Sequence, residues 1–157
     1  MTFNSELVTW SATYSVGIKL IDDQHKELFK LVNDMYNHVN NDDEEAERAY
    51  FKGVIKQVVE YVKKHFATEE KIMQKTQFTD YIGHKLAHDF FILSVVNLVK
   101  KFDEGKKVPL GYFTHFIKDW ILSHIAIMDK QYFNHLKKIA SRKSNGKLSI
   151  TQEDIAC

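Results

Sequence analysis

The clearest pattern in this sequence lies in one stretch, His84-Lys-Leu-Ala-His88-Asp-Phe-Phe91-Ile-Leu-Ser-Val95-Val-Asn-Leu98-Val-Lys-Lys-Phe102. The numbered residues follow one another in alternating steps of four and three. Such steps keep side chains on one stripe of an α-helix, which is the interior seam of a helical bundle. Two histidines therefore share a predicted core seam with four apolar residues.

Apolar residues at helical spacing mark four long segments. We expect helices over about Asp22–Asn40, Glu44–Lys75 and Tyr81–Asp103, and a fourth from Pro109 to about Lys138. Asp22 or Asp23 is the expected N-cap of the first helix, since aspartate accepts hydrogen bonds there. Short polar loops between the segments favour antiparallel neighbours. The predicted fold is all-α, an up-and-down antiparallel four-helix bundle with an N-terminal arm and a C-terminal tail.

Composition is typical of a soluble single domain. The 157 residues are 44% hydrophobic and 27% charged, with a formal net charge of +1, which gives no indication of a nucleic-acid or membrane surface. The single cysteine, Cys157, excludes an intrachain disulfide and a thiolate metal cage. The N-terminus does not resemble a signal peptide, so we expect a cytoplasmic location. The predicted bundle covers residues 1–140, followed by a flexible tail over 141–157.

Histidines and carboxylates occupy the inward stripes of all four predicted helices. His84 and His88 are four residues apart, as are His65 and Glu69, so each pair shares one helix face. His25 begins the inward stripe of the first helix. Because burying such groups is costly unless they are paired or bound to a metal, the pattern favours a metal site over isolated core histidines.

The fourth helix offers His124 and, less clearly, Asp129. Five residues correspond to an offset of about 140° on an ideal helix. Both side chains reach one site only if the metal lies between their directions or if the helix widens locally into a π-type turn. Spacing alone leaves Asp129 open.

The donor types narrow the metal without identifying it. Histidine and carboxylate ligands suit iron, manganese, zinc or copper. Seven donors are too many for one ion and fit two octahedral ions that share carboxylate bridges. Neither Glu-x-x-His nor His-Glu-x-x-His occurs, so the pattern matches neither the ferritin-like di-iron proteins nor the zincin proteases.

The chain resembles the hemerythrins, in particular the single-domain bacteriohemerythrins. The resemblance rests on Ile21-Asp-Asp-Gln-His25, His65-Phe-Ala-Thr-Glu69-Glu70, His84-Lys-Leu-Ala-His88 and Trp120-Ile-Leu-Ser-His124-Ile-Ala-Ile-Met-Asp129, with an arm that includes Trp10 and Tyr14-Ser-Val-Gly17-Ile. It spans roughly residues 8 to 138. Family members often carry Tyr-Pro where this chain has Phe78-Thr79, a difference that concerns loop geometry rather than ligands.

The resemblance implies a centre of two non-haem iron ions. One ion is expected on His84, His88 and His124, and the other on His25 and His65. Glu69 and Asp129 are expected to bridge them, with an oxo or hydroxo group as third bridge. O2 is then expected at the open position of the His25/His65 ion.

Apolar neighbours are expected to form the O2 pocket, namely Leu28, Phe66, Trp120, Ile121 and Ile125. For each of them plain core packing is the alternative, and the resemblance favours the pocket for Trp120 and Ile125. Tyr61 is either a core aromatic or a hydrogen-bonding partner of a ligand. The remaining histidines, His38, His115 and His135, match no ligand position.

Three functions fit this pattern. An O2 carrier, store or delivery protein is favoured, because no output or enzymatic domain accompanies the bundle. An O2 or redox sensor would have to act through a separate protein partner. A di-iron oxidase or peroxidase would need substrate access and a proton donor near the open ion, so we expect no enzymatic activity.

Overall fold

The computed structural model describes residues 5–39 and 43–143. Three long helices match the expected segments: α1 (Lys19–His38), α2 (Glu44–Lys75) and α3 (Tyr81–Asp103). The fourth segment comprises α4 (Leu110–Ser123), a π-helical turn (His124–Asp129) and α5 (Lys130–Lys143). Helix α1 packs against α2 and α4, and α2 packs against α3. The predicted all-α four-helix bundle is confirmed.

Helix ends follow local hydrogen bonding. The Asp43 carboxylate accepts from the backbone N–H of Glu45 and Ala46 at the start of α2. Helix α2 ends in a Schellman motif, in which Phe78 N–H donates to Met73 C=O and Gln77 has a φ of 52°. This left-handed turn starts the loop that contains Phe78-Thr79. Helix α3 ends in the same way, with Gly105 in the left-handed position.

The first helix begins earlier than expected, and the N-cap prediction was wrong. Its N-cap is Ile18, and Asp22 lies inside the first turn. The Asp22 carboxylate instead accepts from Val16 N–H at 2.8 Å and from the Ser15 hydroxyl at 2.6 Å. The arm therefore folds back over the first turn, and this contact lets the helix start at Lys19. At the other end of the chain, α5 continues to Lys143, beyond the expected end near Lys138. Residues 141–143 of the expected tail 141–157 are therefore helical, and residues 144–157 lie outside the described residues.

The beginning of the N-terminal arm is held against α1 by hydrogen bonds to Asn33. Asn33 accepts hydrogen bonds from the N–H groups of Leu7 and Val8 at 2.8 and 3.0 Å, and donates to Val8 C=O at 2.8 Å. Trp10 then packs edge-on against Phe29, with ring centroids 5.4 Å apart. The arm thereby covers one side of the bundle beside α1.

The core has two apolar clusters with a polar layer between them. The larger one includes Leu28 of α1, Phe66 of α2, Phe91 of α3 and Ile125 of the π turn. The smaller one joins Val16, Ile18 and Ile21 to Ile72, Met73, Tyr132, Phe133 and Leu136. Buried polar residues between the two clusters, such as His25 between Ile21 and Leu28 of α1, form the polar layer. This layer is the candidate metal site.

Helix α3 is the described helix that is long and apolar enough to cross a membrane by length and composition. Core helices of bundles meet the same criterion. Its buried side carries His84 and His88 together with Phe91 and Val95, so the seam predicted from sequence faces the bundle interior.

Candidate metal centre

Seven donor residues converge in the polar layer, one or two from each part of the bundle. Helix α1 contributes one, α2 two, α3 two and the π turn two. All of them are at most 4% exposed: His25, His65, Glu69, His84, His88, His124 and Asp129. The structure therefore brings together every residue proposed as a ligand from the sequence.

The donor atoms form two groups that share both carboxylates. One group contains His84, His88 and His124, the other contains His25 and His65, and Glu69 and Asp129 belong to both. Within each group the candidate ligand atoms lie within 4.8 Å of one another. Three histidines thus face one position and two face the other.

Each carboxylate directs one oxygen to each group. Glu69 Oε1 lies 3.5 Å from His65 Nε2 and 3.8 Å from His25 Nε2, whereas its Oε2 lies 3.4 Å from His88 Nε2. Asp129 repeats the arrangement: Oδ2 lies 3.2 Å from His25 Nε2, and Oδ1 lies 3.1 Å from His124 Nε2. This is the orientation that a bridging carboxylate needs.

The π-helical turn brings Asp129 into the site. An ordinary helix would turn a residue five positions after His124 away by about 140°. The wider turn from His124 to Asp129 reduces that offset, and His124 Nε2 and Asp129 Oδ1 consequently approach to 3.1 Å. The spacing of His124 and Asp129 left two geometries open, a metal between diverging side chains or a widened turn. The structure contains the widened turn.

Unpaired polar atoms concentrate in this layer. Among the described residues, the buried side-chain atoms that lack a hydrogen-bond partner are both ring nitrogens of His25, both oxygens of Glu69 and of Asp129, and the Tyr132 hydroxyl. Each unpaired buried group costs about 1–3 kcal/mol. A cation that accepts lone pairs from the four carboxylate oxygens and from one ring nitrogen of His25 removes most of this penalty, so the donor set fits metal ions.

The electrostatics also favour positive charge in the layer. Burial lowers the pKa of His25 and of His84, but the neighbouring carboxylates of Asp129 and Glu69 outweigh burial and raise the pKa of each to about 9. Burial lowers the pKa of His65 to about 4. Burial acts to raise the pKa of Glu69, yet the surrounding histidines hold it well below its usual range. Burial and Glu69 act to raise the pKa of Asp129, but His124 and His25 hold it below its usual range. Both carboxylates are therefore ionised and attract either protonated histidines or metal cations.

Two polar side chains fix the orientation of ligand imidazoles. His65 Nδ1 donates to Gln24 Oε1 at 2.8 Å, and His88 Nδ1 donates to Glu70 Oε1 at 3.0 Å. Both bonds leave Nε2 free to face the centre, as is usual for metal-binding histidines. Gln24 and Glu70 adjoin the candidate ligands His25 and Glu69 in sequence. Gln24 was not singled out from the sequence. The feature that could have indicated its role is a polar residue directly beside the inward His25.

Tyr61 acts as a hydrogen-bonding neighbour of the site. Its hydroxyl donates to the Gln24 backbone carbonyl, which links α2 to α1 beside the Gln24–His65 bond. The Tyr61 ring lies nearly parallel to that of His65, with centroids 6.5 Å apart. Tyr61 therefore does not hydrogen-bond a proposed ligand directly; its hydroxyl binds the Gln24 backbone while its ring packs against the larger apolar cluster.

Aromatic rings cover the three-histidine group. Phe66 stacks on His88 with ring centroids 3.7 Å apart, and Trp120 stacks on His124 at 4.3 Å. Phe66 and Trp120 are expected from the sequence near the His25/His65 position. Their closest ring contacts within the cluster are instead with His88 and His124 of the three-histidine group. At the two-histidine group, Trp10 of the arm lies 6.4 Å from His25. Leu28, Ile121 and Ile125 are buried in the adjoining apolar cluster, and their role in a pocket stays a prediction.

The other three histidines lie outside the cluster. His38 is exposed and stacks on Tyr50 at 3.7 Å, and His115 is also exposed. His135 contacts the Thr76 carbonyl at 3.3 Å and packs near Phe78. Among the described residues, neither metal-binding group includes them.

Known proteins share this sequence pattern and fold. The family model for the hemerythrin HHE cation-binding domain matches residues 16–136. A bacteriohemerythrin of Methylococcus capsulatus is 33% identical over 127 residues, covering 80% of this chain and 94% of that protein. A hemerythrin-like protein of Naegleria gruberi is 29% identical over 123 residues, covering 78% of this chain and 88% of its own length.

Solved structures give the same result. The crystal structure of a wild-type hemerythrin superposes with a TM-score of 0.74 at 32% sequence identity. It covers 83% of this chain and 98% of the matched chain. The similarity therefore extends over almost the whole of the related protein.

Proposed function

Because the chain belongs to the hemerythrin family, we propose that it binds O2 reversibly at two non-haem iron ions held by the buried cluster, as an O2 carrier, store or delivery protein. The observation that carries this proposal is the division of Glu69 and Asp129 between the two donor groups. A carboxylate with one oxygen on each side is suited to holding two ions as a pair.

The proposed ligands follow the two groups. His84, His88 and His124 would hold one ion, and His25 and His65 the other, with both carboxylates shared. The first group would thus supply five donor residues and the second four. The smaller donor set of His25 and His65 would leave more room for an external ligand such as O2. When bound in the ferrous state, the iron pair supplies the two electrons that O2 binding of this kind uses.

The protein contributes charge balance and exclusion of water. Two ferrous ions bring four positive charges, and two carboxylates with a hydroxide bring three negative ones, so little net charge is buried. Phe66 and Trp120 cover the imidazoles of the three-histidine group. Gln24 and Glu70 hold two imidazoles in the tautomer that leaves Nε2 available. Apolar surroundings favour a carrier, because protons that would release reduced oxygen are kept away.

An enzymatic role has less support. An oxidase or peroxidase needs a proton donor near the open ion, and the candidate hydroxyl is that of Tyr132. Its ring packs against His84 of the three-histidine group, 6.1 Å between centroids. Burial and the nearby carboxylates Glu69 and Asp129 raise the pKa of Tyr132, so its hydroxyl gives up a proton reluctantly. No described residue favours the sensor alternative, which requires a separate partner.

The test is an anaerobic reconstitution with ferrous iron. We expect two iron ions per chain, a visible absorption change when O2 is added, and return to the original spectrum when O2 is removed. His65→Ala should lower the iron content and abolish the reversible change, whereas His115→Ala, at an exposed histidine, should leave both unchanged. One-way oxidation of the wild-type protein, or rapid turnover of peroxide, would contradict the carrier and favour an enzyme.

A further inference from the structure

The outer face of α3 carries an apolar stripe that the bundle does not use. Five large side chains lie on it, each substantially exposed: Ile82 (72%), Leu86 (61%), Phe90 (68%), Leu93 (57%) and Val96 (47%). At about 100° per residue they fall within an arc of about 120°, directly opposite the side that carries the histidines. Because His84 and His88 are buried in the metal cluster, α3 cannot rotate to bury the stripe without dismantling the site.

The size of this stripe exceeds ordinary surface exposure. With about 150–200 Å² for each fully exposed side chain of this kind, the five leave on the order of 500 Å² uncovered. That is near the upper end of the largest apolar patch found on a typical monomer. Two such stripes placed together would bury about 1,000 Å², which is the area at which specific interfaces begin.

The order of residues along the stripe is close to symmetric about Phe90. Leu86 lies four residues before it and Leu93 three residues after it, with Ile82 and Val96 at the two ends. An antiparallel pairing of two α3 helices, with a two-fold axis near Phe90, therefore sets leucine against leucine and β-branched residue against β-branched residue. A surface that complements itself in this way is what a two-fold symmetric dimer requires.

Charges beside the stripe are balanced within each copy. Along the stripe, Lys85 pairs with Asp89 of its own helix at 2.8 Å. The two-fold axis would bring the two Asp89 carboxylates near each other, and each of them is balanced by Lys85 of its own helix.

We propose that this chain forms a homodimer through α3, with the two helices antiparallel and the stripe Ile82, Leu86, Phe90, Leu93 and Val96 at the interface. The metal clusters would lie on opposite outer sides of the contact, since the histidines face away from it. The proposal is independent of the bound metal and of O2 chemistry.

The first test is the mass of the full chain by sedimentation velocity, between about 1 and 200 µM, a range in which interfaces of this area associate. We expect a dimer that dissociates on dilution. Phe90→Glu and Leu86→Glu should each weaken association by about 100-fold or more, because they bury unpaired like charges at the axis. Gln57→Glu adds the same charge at an exposed position of α2 and should leave the dimer intact. Unchanged helicity and iron content of the glutamate variants exclude unfolding.

The second test fixes the register. In a Cys157→Ser background, Phe90→Cys should form a disulfide-linked dimer under mild oxidation, whereas Gln57→Cys should not. A wild-type chain that is monomeric over the whole range overturns the proposal. If that monomer binds vesicles of phosphatidylcholine and phosphatidylglycerol, the stripe contacts lipid. If deletion of residues 144–157 is needed before the chain dimerises, its own tail covers the stripe.

Discussion

Replacement of Gln24 tests whether the site depends on the orientation of its histidines. Gln24 is 8% exposed, and its Oε1 accepts the Nδ1–H of His65 at 2.8 Å. Gln24→Met keeps the length of the side chain but removes the acceptor. The His65 Nδ1–H then stays buried without a partner, at a cost of about 1–3 kcal/mol, or about 5- to 150-fold in an equilibrium constant.

We expect this cost to reduce affinity at one position of the metal pair. Loss of such a partner typically lowers metal affinity by about 10- to 100-fold. The ion held by His25 and His65 should therefore be lost first, while the ion held by three histidines stays bound. Anaerobic titration with ferrous iron against a competing chelator measures both steps.

Two controls make the result specific. Gln24→Glu retains an acceptor oxygen and should keep affinity within a few fold of wild type, whereas Gln57→Met places the same methionine at an exposed position of α2. Equal losses in Gln24→Met and Gln24→Glu would show that packing, not the hydrogen bond, is responsible. If the affinity for the ion at His25 and His65 is unchanged in Gln24→Met, the reasoning is refuted.

Three further predictions concern the metal, the second oriented histidine and the helix ends. Removal of iron should lower the melting temperature by at least about 5 °C in calorimetry. The reason is that free iron at 100 times its Kd adds about 2.7 kcal/mol to the free energy of unfolding. Equal melting temperatures of the two forms would exclude a buried metal site. Glu70→Gln, at a side chain that is 21% exposed, should lower iron affinity by less than about tenfold, because the amide oxygen still accepts the His88 Nδ1–H and only the charge is lost. A larger loss would mean that the charge is essential. Asp43→Ala should reduce the free energy of unfolding by about 1 kcal/mol. Gln77→Gly, at a positive φ, should increase the free energy of unfolding by up to about 1 kcal/mol. Chemical denaturation measures both changes, and opposite signs would contradict the assigned capping roles.

The sequence predicted the bundle because core packing imposes its own spacing. The seam from His84 to Phe102 alternates steps of four and three, and only a helix buried along one side requires that. Helices α2 and α3 accordingly begin and end at the expected residues. The start of α1 was wrong because the contact of Asp22 with Ser15 and Val16 involves a fold-back of the arm, which no periodicity records.

The candidate site was predictable where spacing is regular and not where it is irregular. His65 with Glu69 and His84 with His88 follow from the four-residue helical step. Asp129 depended on the resemblance to hemerythrins, since the π turn that places it has no simple sequence signal. Trp10 and Gln24 reach the site across element boundaries, through the pairing of the arm and α2 with α1. Their roles depend on tertiary contacts rather than on local pattern.

The π turn from His124 to Asp129 has a consequence for how this protein can change over time. The turn adds one residue to a helical repeat. That addition sets the rotation of the following helix, so that Tyr132 and Leu136 face the smaller apolar cluster. Deleting one residue between His124 and Asp129 would give a more regular helix but would rotate the following segment by about 100°. Such a deletion removes the shared carboxylate and the packing of α5 together. At this turn the regularity of the helix and the placement of Asp129 oppose each other.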